Sequence, residues 1–292
     1  MPKIELERMA LDGCAGNPER LARAIHDQLG ELTGPVPVHA IARALDIEEI
    51  REEPLHGFEG ALITTPERSF GAIVVNARSS PARRRYTIGH ELGHFLNPWH
   101  EPTTDSGFQC TGRDMTIFAG DDRHRQQEAE ANRFSIELLA PIARLKLYLS
   151  KHADLGHALA MAQELEISKM AAVRRYVSLH PENLAVVFSR NRVMSYFSSS
   201  GGFPRLAVRS GDRLPDLAQP PEHERLSQME ETDPADWLQA PRRAALYAQT
   251  LHQAEGYAMT VLLAETAESL DDIGDDPDRD DLGAPSRFGR GR

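Results

Sequence analysis

Cysteine is scarce in this chain of 292 residues, which holds only Cys14 and Cys110. Two thiols cannot make a disulfide framework and neither belongs to a Cys-x-x-Cys pair, so a disulfide-stapled scaffold is excluded and free thiols are expected. Long apolar runs are missing as well. Nothing approaches the roughly 18 consecutive apolar residues of a membrane-spanning helix. The opening stretch MPKIELERMALDG mixes charges among apolar residues and lacks the continuous apolar segment and small-residue cleavage pattern of a secretion signal, which points to the cytoplasm. Positive charge is in deficit. With 33 Lys and Arg against 44 Asp and Glu, the formal net charge is −11, so a concentrated cationic face for nucleic acid is not expected of the chain as a whole. Much of the excess acid sits in EHERLSQMEETDPAD (222–236) and SLDDIGDDPDRDDLG (269–283). The latter is poor in apolar residues and rich in Asp and Gly, the composition of a disordered acidic tail over 266–292.

What is present is an ordinary globular composition, 40% apolar and 26% charged, in a chain long enough for more than one core. Asn17 and Pro18 open a helix that carries Leu21, Ile25 and Leu29 at helical spacing and stops at Gly30. VPVHAIARALDI (36–47) predicts a second, short helix. GALITT (60–65) and FGAIVVNA (70–77), separated by a charged turn containing Pro66, predict a hairpin. Ser79 or Ser80 then caps a helix with Pro81 at its first position, which ends near Asn97-Pro98. The stretch 98–121 is turn-rich and reads as loop. RHRQQEAEANRFSIELLA (123–140) is helical up to Pro141, and further helix follows to His180 with an interruption near Ile167-Ser168. Beyond it, two hairpins are expected, one around Arg190–Arg192 and one around Gln253–Gly256, in an antiparallel sheet with one helix.

The chemistry concentrates in RRRYTIGHELGHFLNPWH (83–100). On a helix, His90 and His94 lie about 40° apart and one turn above each other, so both imidazoles can reach one ion. Glu91 is displaced to the side, placed to take a proton from a metal-activated water and badly placed to be a ligand. Chance alone produces an HExxH in roughly one chain in thirty of this composition, so the letters by themselves are only moderately specific. The apolar neighbours Tyr86, Ile88, Leu92, Phe95 and Leu96 sharpen the reading, because unpartnered histidines would be costly to bury among them.

Spacing leaves the third ligand open between two candidates. His100 completes HExxHxxNxxH, with Asn97 at the position of a left-handed turn, although Pro98 pushes Asn97 towards extended geometry. The alternative is Glu128 from the downstream helix, with Asn132 one turn on to hold a ligand in place and Glu130 pointing elsewhere. Glu128 and Glu130 also fit a solvated face paired with Arg125 or Arg133. Cys110 lies between the two helices, where a thiolate can take a metal's fourth position or pack as a small apolar group.

Three ordered segments, RRRYTIGHELGHF, FQCTGRDM and EAEANRFSIELLAP, together with the preceding GFEGALIT and GAIVVNAR, resemble the ImmA/IrrE metallo-endopeptidases over roughly residues 35–145. The resemblance implies an α+β fold with a gluzincin-like HExxH domain over residues 1–150. It implies a zinc ion, for which Mn²⁺ or Fe²⁺ can substitute in a His₂Glu site, with His90, His94 and Glu128 as its ligands and Glu91 as catalytic base. His100 is then a histidine at the cleft's edge. It implies cleavage of a partner repressor with a helix-turn-helix, whose backbone would add to a sheet edge; FGAIVVNA is the candidate, and reads equally well as an internal core strand. Ser135 and Ala140 stand where the family usually has alanine and methionine, a change of packing. Tyr86, His100 and His124 are the candidates for stabilising an oxyanion.

Residues 151–181 have the small–apolar spacing of a helix-turn-helix with Lys169, Arg174 and Arg175 on or after its second helix. Three cations in an acidic chain make a thin phosphate footprint, so packing against the core and recognition of a protein are the preferred roles, ahead of DNA binding. Residues 182–265 form the expected C-terminal α+β module. A non-enzymatic regulator on the same fold is the competing functional class.

Overall fold

The computed structural model describes residues 4–104, 107–116, 122–149, 151–215, 224–241 and 244–266; the acidic tail expected over 266–292 lies, beyond Thr266, outside them. Asn17 accepts the Arg20 N–H through its side chain and Pro18 begins α1 (Pro18–Leu29), which Gly30 ends at φ 68°. There follow α2 (Val38–Ala44), β1 (Ile47–Glu53), β2 (Gly60–Thr64), β3 (Gly71–Asn76), α3 (Pro81–Leu96), β4 (Gly107–Cys110), α4 (Arg123–Leu139) and α5 (Ile142–Leu149). Ser80 and Asp122 cap α3 and α4 by accepting backbone N–H groups of Arg83 and Arg125, as oxygen-bearing N-caps do.

The first sheet has the order β1-β3-β2-β4. β1 runs parallel to β3, and β2 is antiparallel to both β3 and β4. One expectation is corrected here and one alternative is decided. The stretch read as loop contains β4 and a 3-10 turn at Asp114–Thr116. FGAIVVNA, which reads equally as a substrate-pairing edge or as an internal strand, is the inner strand β3, because the charged segment IEEIREE pairs with it as β1. β4 is the edge at the opposite side of this sheet among the described residues.

Then come α6 (Leu155–Leu165), α7 (Lys169–Leu179, capped by Ser168), β5 (Asn183–Arg190), β6 (Val193–Ser199), β7 (Arg225–Leu226), β8 (Glu230–Glu231), β9 (Ala244–His252) and β10 (Tyr257–Thr266). They form a second antiparallel sheet, β6-β5-β10-β9-β7, with β8 also on β9. Both predicted hairpins are in it. Instead of the one helix expected, residues 183–266 hold only 3-10 turns among the described residues. One apolar core runs from Leu11 and α1 through Ile88, Leu92 and Phe134 into Val173, Tyr176, Val186 and Val261; the opposite face of the second sheet packs a smaller cluster around Trp237. No helix among the described residues is long and apolar enough to cross a membrane.

Two glycines decide how closely α3 meets α4. A Cβ at Gly89 would stand 2.7 Å from Ser135 Oγ, and one at Gly93 would stand 3.0 Å from Phe134 Cδ1 and 3.3 Å from Ala131 Cα. The helix carrying both histidines therefore lies backbone-close to the helix carrying Glu128. Ser135 is not an idle substitution, for its hydroxyl donates to the Tyr86 carbonyl at 2.8 Å. Replacing Gly93→Val must push these helices apart, and the overpacking should cost about 1–3 kcal/mol of unfolding free energy in a urea titration.

Candidate metal centre

His90 and His94 project from the buried side of α3, and Glu128 meets them from α4; all three are fully buried. His90 Nε2 and His94 Nε2 are 3.1 Å apart, and they lie 3.2 and 3.5 Å from the two oxygens of Glu128. Cys110, the last residue of β4, places its Sγ 3.7 Å from His94 Nε2. One ligand-type atom from each of His90, His94, Cys110 and Glu128 falls within 4.8 Å of all the others. Of the two third-ligand candidates, the fold brings Glu128 into this group and leaves His100 behind His94.

Hydrogen bonds fix the ring orientations. His90 Nδ1 is 3.0 Å from Asn132 Oδ1, which also accepts the Tyr86 hydroxyl at 2.9 Å, while Asn132 Nδ2 donates to the Asp114 carbonyl at 2.8 Å. The amide oxygen can only accept, so His90 carries its proton on Nδ1 and turns a bare Nε2 to the cluster. On the other ring, His94 Nδ1 is 2.9 Å from His100 Nδ1, and His100 Nε2 is 3.0 Å from Glu130 Oε2. A proton on His100 Nε2, given to Glu130, leaves His100 Nδ1 free to accept from His94. Thus Glu130 does point away from the cluster, as read from spacing, yet it orients a ring in the cluster through His100.

Burial shapes the charges. It pushes Glu91 up to about 7, opposed by His90 and by the Cys110 thiol. It lowers His94 to about 3 against the pull of Glu128, and, with Arg68 adding repulsion, lowers His100 to about 3. Burial also raises Glu128, and the His90 and His94 rings lower it only where they turn an N–H to the carboxyl; bare Nε2 atoms leave that support to a cation. Cys110 is pushed well above an ordinary thiol by burial and by Glu91 and Glu128. Neutral imidazoles beside an ionised carboxylate are the forms that offer lone pairs to a cation. Both oxygens of Glu128 and both of Glu91 are buried with no hydrogen-bond partner. Orphaned buried oxygens of this kind, facing bare imidazole nitrogens, fit a divalent ion between them.

Glu91 stands to the sheet side of the pair, against Gly60 of β2, where a Cβ would come within 2.6 Å of Glu91 Oε1. Arg68 is a residue the sequence reading passed over. It sits 8% exposed in the β2–β3 turn and donates to the carbonyls of His94 (2.7 Å), Asn97 and His100. A guanidinium there satisfies the free carbonyls at the C-terminus of α3 and suits the negative end of its dipole. It lies over Phe108, whose ring stacks on His94 at 4.5 Å between centroids.

The family model described as the IrrE N-terminal-like domain, a peptidase family, matches residues 44–176. Over those residues the chain is similar to the ImmA/IrrE family. The IrrE-like segment holds every residue of the cluster, and β5 to β10 lie beyond it. Across a wider span, the chain is similar in fold to a solved structure named "Mycobacterium tuberculosis transcriptional regulator", at 12% identity and a TM-score of 0.53, over 88% of this chain and 80% of the other. No curated protein matches the chain. Because Arg68 tethers three carbonyls at the end of α3, of which only that of Asn97 also takes a backbone N–H, from His100, Arg68→Ala should cost about 2–4 kcal/mol in denaturant unfolding, well beyond an ordinary surface change.

Proposed function

We propose that the protein is a zinc-dependent endopeptidase that cuts a specific cytoplasmic protein, a transcriptional repressor with a helix-turn-helix, and so relieves repression. The observation that supports this best is the convergence of His90, His94 and Glu128 on one buried point with an unpartnered Glu91 beside it. In this reading the two histidines and Glu128 hold the ion, which when bound supplies Lewis-acid polarisation of a scissile carbonyl and a water acidic enough to react near neutral pH. Glu91 takes the proton of the attacking water and passes it to the leaving amine, the two halves of general base and general acid catalysis. Asn132 and the His100–Glu130 pair keep the rings aimed. Among the oxyanion candidates, Tyr86 already donates to Asn132 and His100 is enclosed behind His94. His124 is left: it is half-exposed on the first turn of α4, with Nδ1 3.8 Å from Glu128 Oε1. An extended substrate would pair with β4, since β3 is covered on both sides.

A non-enzymatic regulator that uses the same ion only as a structural or sensing element is the second reading. It is favoured by one feature, the Cys110 sulfur at a fourth corner of the cluster. The two separate cleanly. Incubation with helix-turn-helix regulators encoded beside the gene should give chelator-sensitive cleavage, and Glu91→Gln should lower it by about 10²–10⁴ while metal uptake persists. A Glu91→Gln protein with undiminished biological effect would establish the regulator instead.

Direct DNA binding through α6 and α7 has little support from the side chains. Lys169 pairs with Glu224 and Arg175 with Glu137, each at 2.6 Å, and Ala172, Val173, Tyr176 and Val177 are buried. The protein should produce no salt-sensitive retardation of duplex DNA in a gel-shift titration.

A further inference from the structure

We infer that Cys110 is the fourth ligand of the metal centre, so that the resting site is closed by protein and has no place for water until the sulfur leaves. This deepens the metal-site reading above and rests on it. Tetrahedral coordination with metal–nitrogen bonds of about 2.05 Å and a metal–sulfur bond of about 2.3 Å sets N···N edges of about 3.3 Å and S···N edges of about 3.6 Å. The protein has 3.1 Å between the two imidazole nitrogens, 3.2 and 3.5 Å from them to Glu128, and 3.7 Å from His94 Nε2 to Cys110 Sγ. The distances at His94 match such edges, and one ligand-type atom from each of the four residues lies within 4.8 Å of the others, with the two oxygens of Glu128 turned one to each imidazole.

A thiol that merely fills space does not account for the arrangement. His94 Nε2 has one lone pair, and it faces His90, Glu128 and Cys110 at once; a hydrogen bond from sulfur would satisfy one of three neighbours and leave the Glu128 oxygens orphaned. One cation at the common centre satisfies all four. The sulfur is held there by backbone, since the Cys110 carbonyl accepts the Glu59 N–H at 2.8 Å and Cys110 is in register with Gly60 of β2. Thiolate, two imidazoles and one carboxylate make a donor set that suits zinc and disfavours Mn²⁺.

Centres with four protein ligands are structural in character, and catalytic ones keep a position open. Opening this centre means breaking the metal–sulfur bond, with the sulfur keeping the bonding electron pair and taking a proton from solvent while water enters the position it left. Cys110 terminates β4, the edge strand on which an extended peptide would pair, so substrate contact and the fourth ligand share one short element.

Cobalt substitution of the full chain tests the assignment by a readout other than proteolysis. Co²⁺-loaded wild-type protein should show the intense near-ultraviolet thiolate-to-cobalt charge-transfer band together with tetrahedral visible bands. Cys110→Ala and Cys110→Ser should lose the first and keep visible bands, whereas Cys14→Ala should keep both. Cobalt bound without a thiolate band in the wild type, a band that survives Cys110→Ala, or failure to take up cobalt or zinc at all would each overturn the inference, and the wild-type spectrum decides even if a variant misfolds. Cleavage assays run alongside keep the two ideas apart. A thiolate band with no cleavage by wild type or Cys110→Ala leaves the ligand in place and counts against the peptidase. Cleavage by wild type with no such band does the reverse. Where both hold, Cys110→Ala should cleave at least about tenfold faster than wild type.

Discussion

The close crossing of α3 and α4 is the constraint on which the rest depends. Histidines four apart on one helix define only a face, and a carboxylate in the second turn of another helix is remote until the two backbones approach. Gly89 and Gly93 remove the side chains that would hold them apart, and Phe134 and Ser135 of α4 occupy the space. The glycine inside HELGH thus has a role that the histidines and the glutamate cannot supply: it sets the distance at which the Glu128 oxygens meet two imidazole nitrogens.

Bringing those groups together without water is expensive. A buried carboxylate carries several kcal/mol of desolvation, and here two carboxyls and three imidazoles share one interior. Each ring has its outer nitrogen committed, His90 to Asn132 and His94 to His100, with Glu130 closing the second chain. The inward-facing oxygens of Glu91 and Glu128 have no hydrogen-bond partner. The outer half of the network is satisfied and the inner half is not, which is the pattern of a site completed by a cation. Metal binding to such a site is also folding free energy, because the unfolded chain does not present these four atoms together.

The helices were legible because their signals are local. Asn17 with Pro18, Ser80 with Pro81, and Ser168 mark starts that depend on neighbours three residues away, and the HExxH spacing and the Glu128–Asn132 turn are read on single helices. What escaped is non-local. β1 is an edge strand whose exposed glutamates hide it from a search for apolar alternation. β4 has four residues in a turn-rich stretch, too few to establish a period, so from sequence Cys110 reads as a loop thiol. Arg68 looked like any turn cation, since its partners are carbonyls 26 to 32 residues onward. His100 has the spacing of a ligand on paper. Pro98 keeps Asn97 extended, at φ −88° and ψ 108°, so the chain makes no sharp left-handed reversal there and the ring comes to rest behind His94.

That displacement has a consequence for how the centre is tuned. A carboxylate bonded directly to a ligating imidazole raises its basicity through one hydrogen bond; here a second imidazole stands between, and the carboxylate, Glu130, is half-exposed at 47%. The polarisation that reaches His94 is therefore weaker and answers to solvent at the far end. On the His90 side the partner is a neutral amide, which orients without donating charge. Neither ring is pushed far towards an electron-rich donor, so the anionic character of the centre falls to Glu128 and to Cys110. In the proposed centre the weight of binding then lies on the two residues that come from outside the HExxH helix, one on α4 and one on β4, and the stiffness of their attachment to α3 would set the strength with which an ion is held.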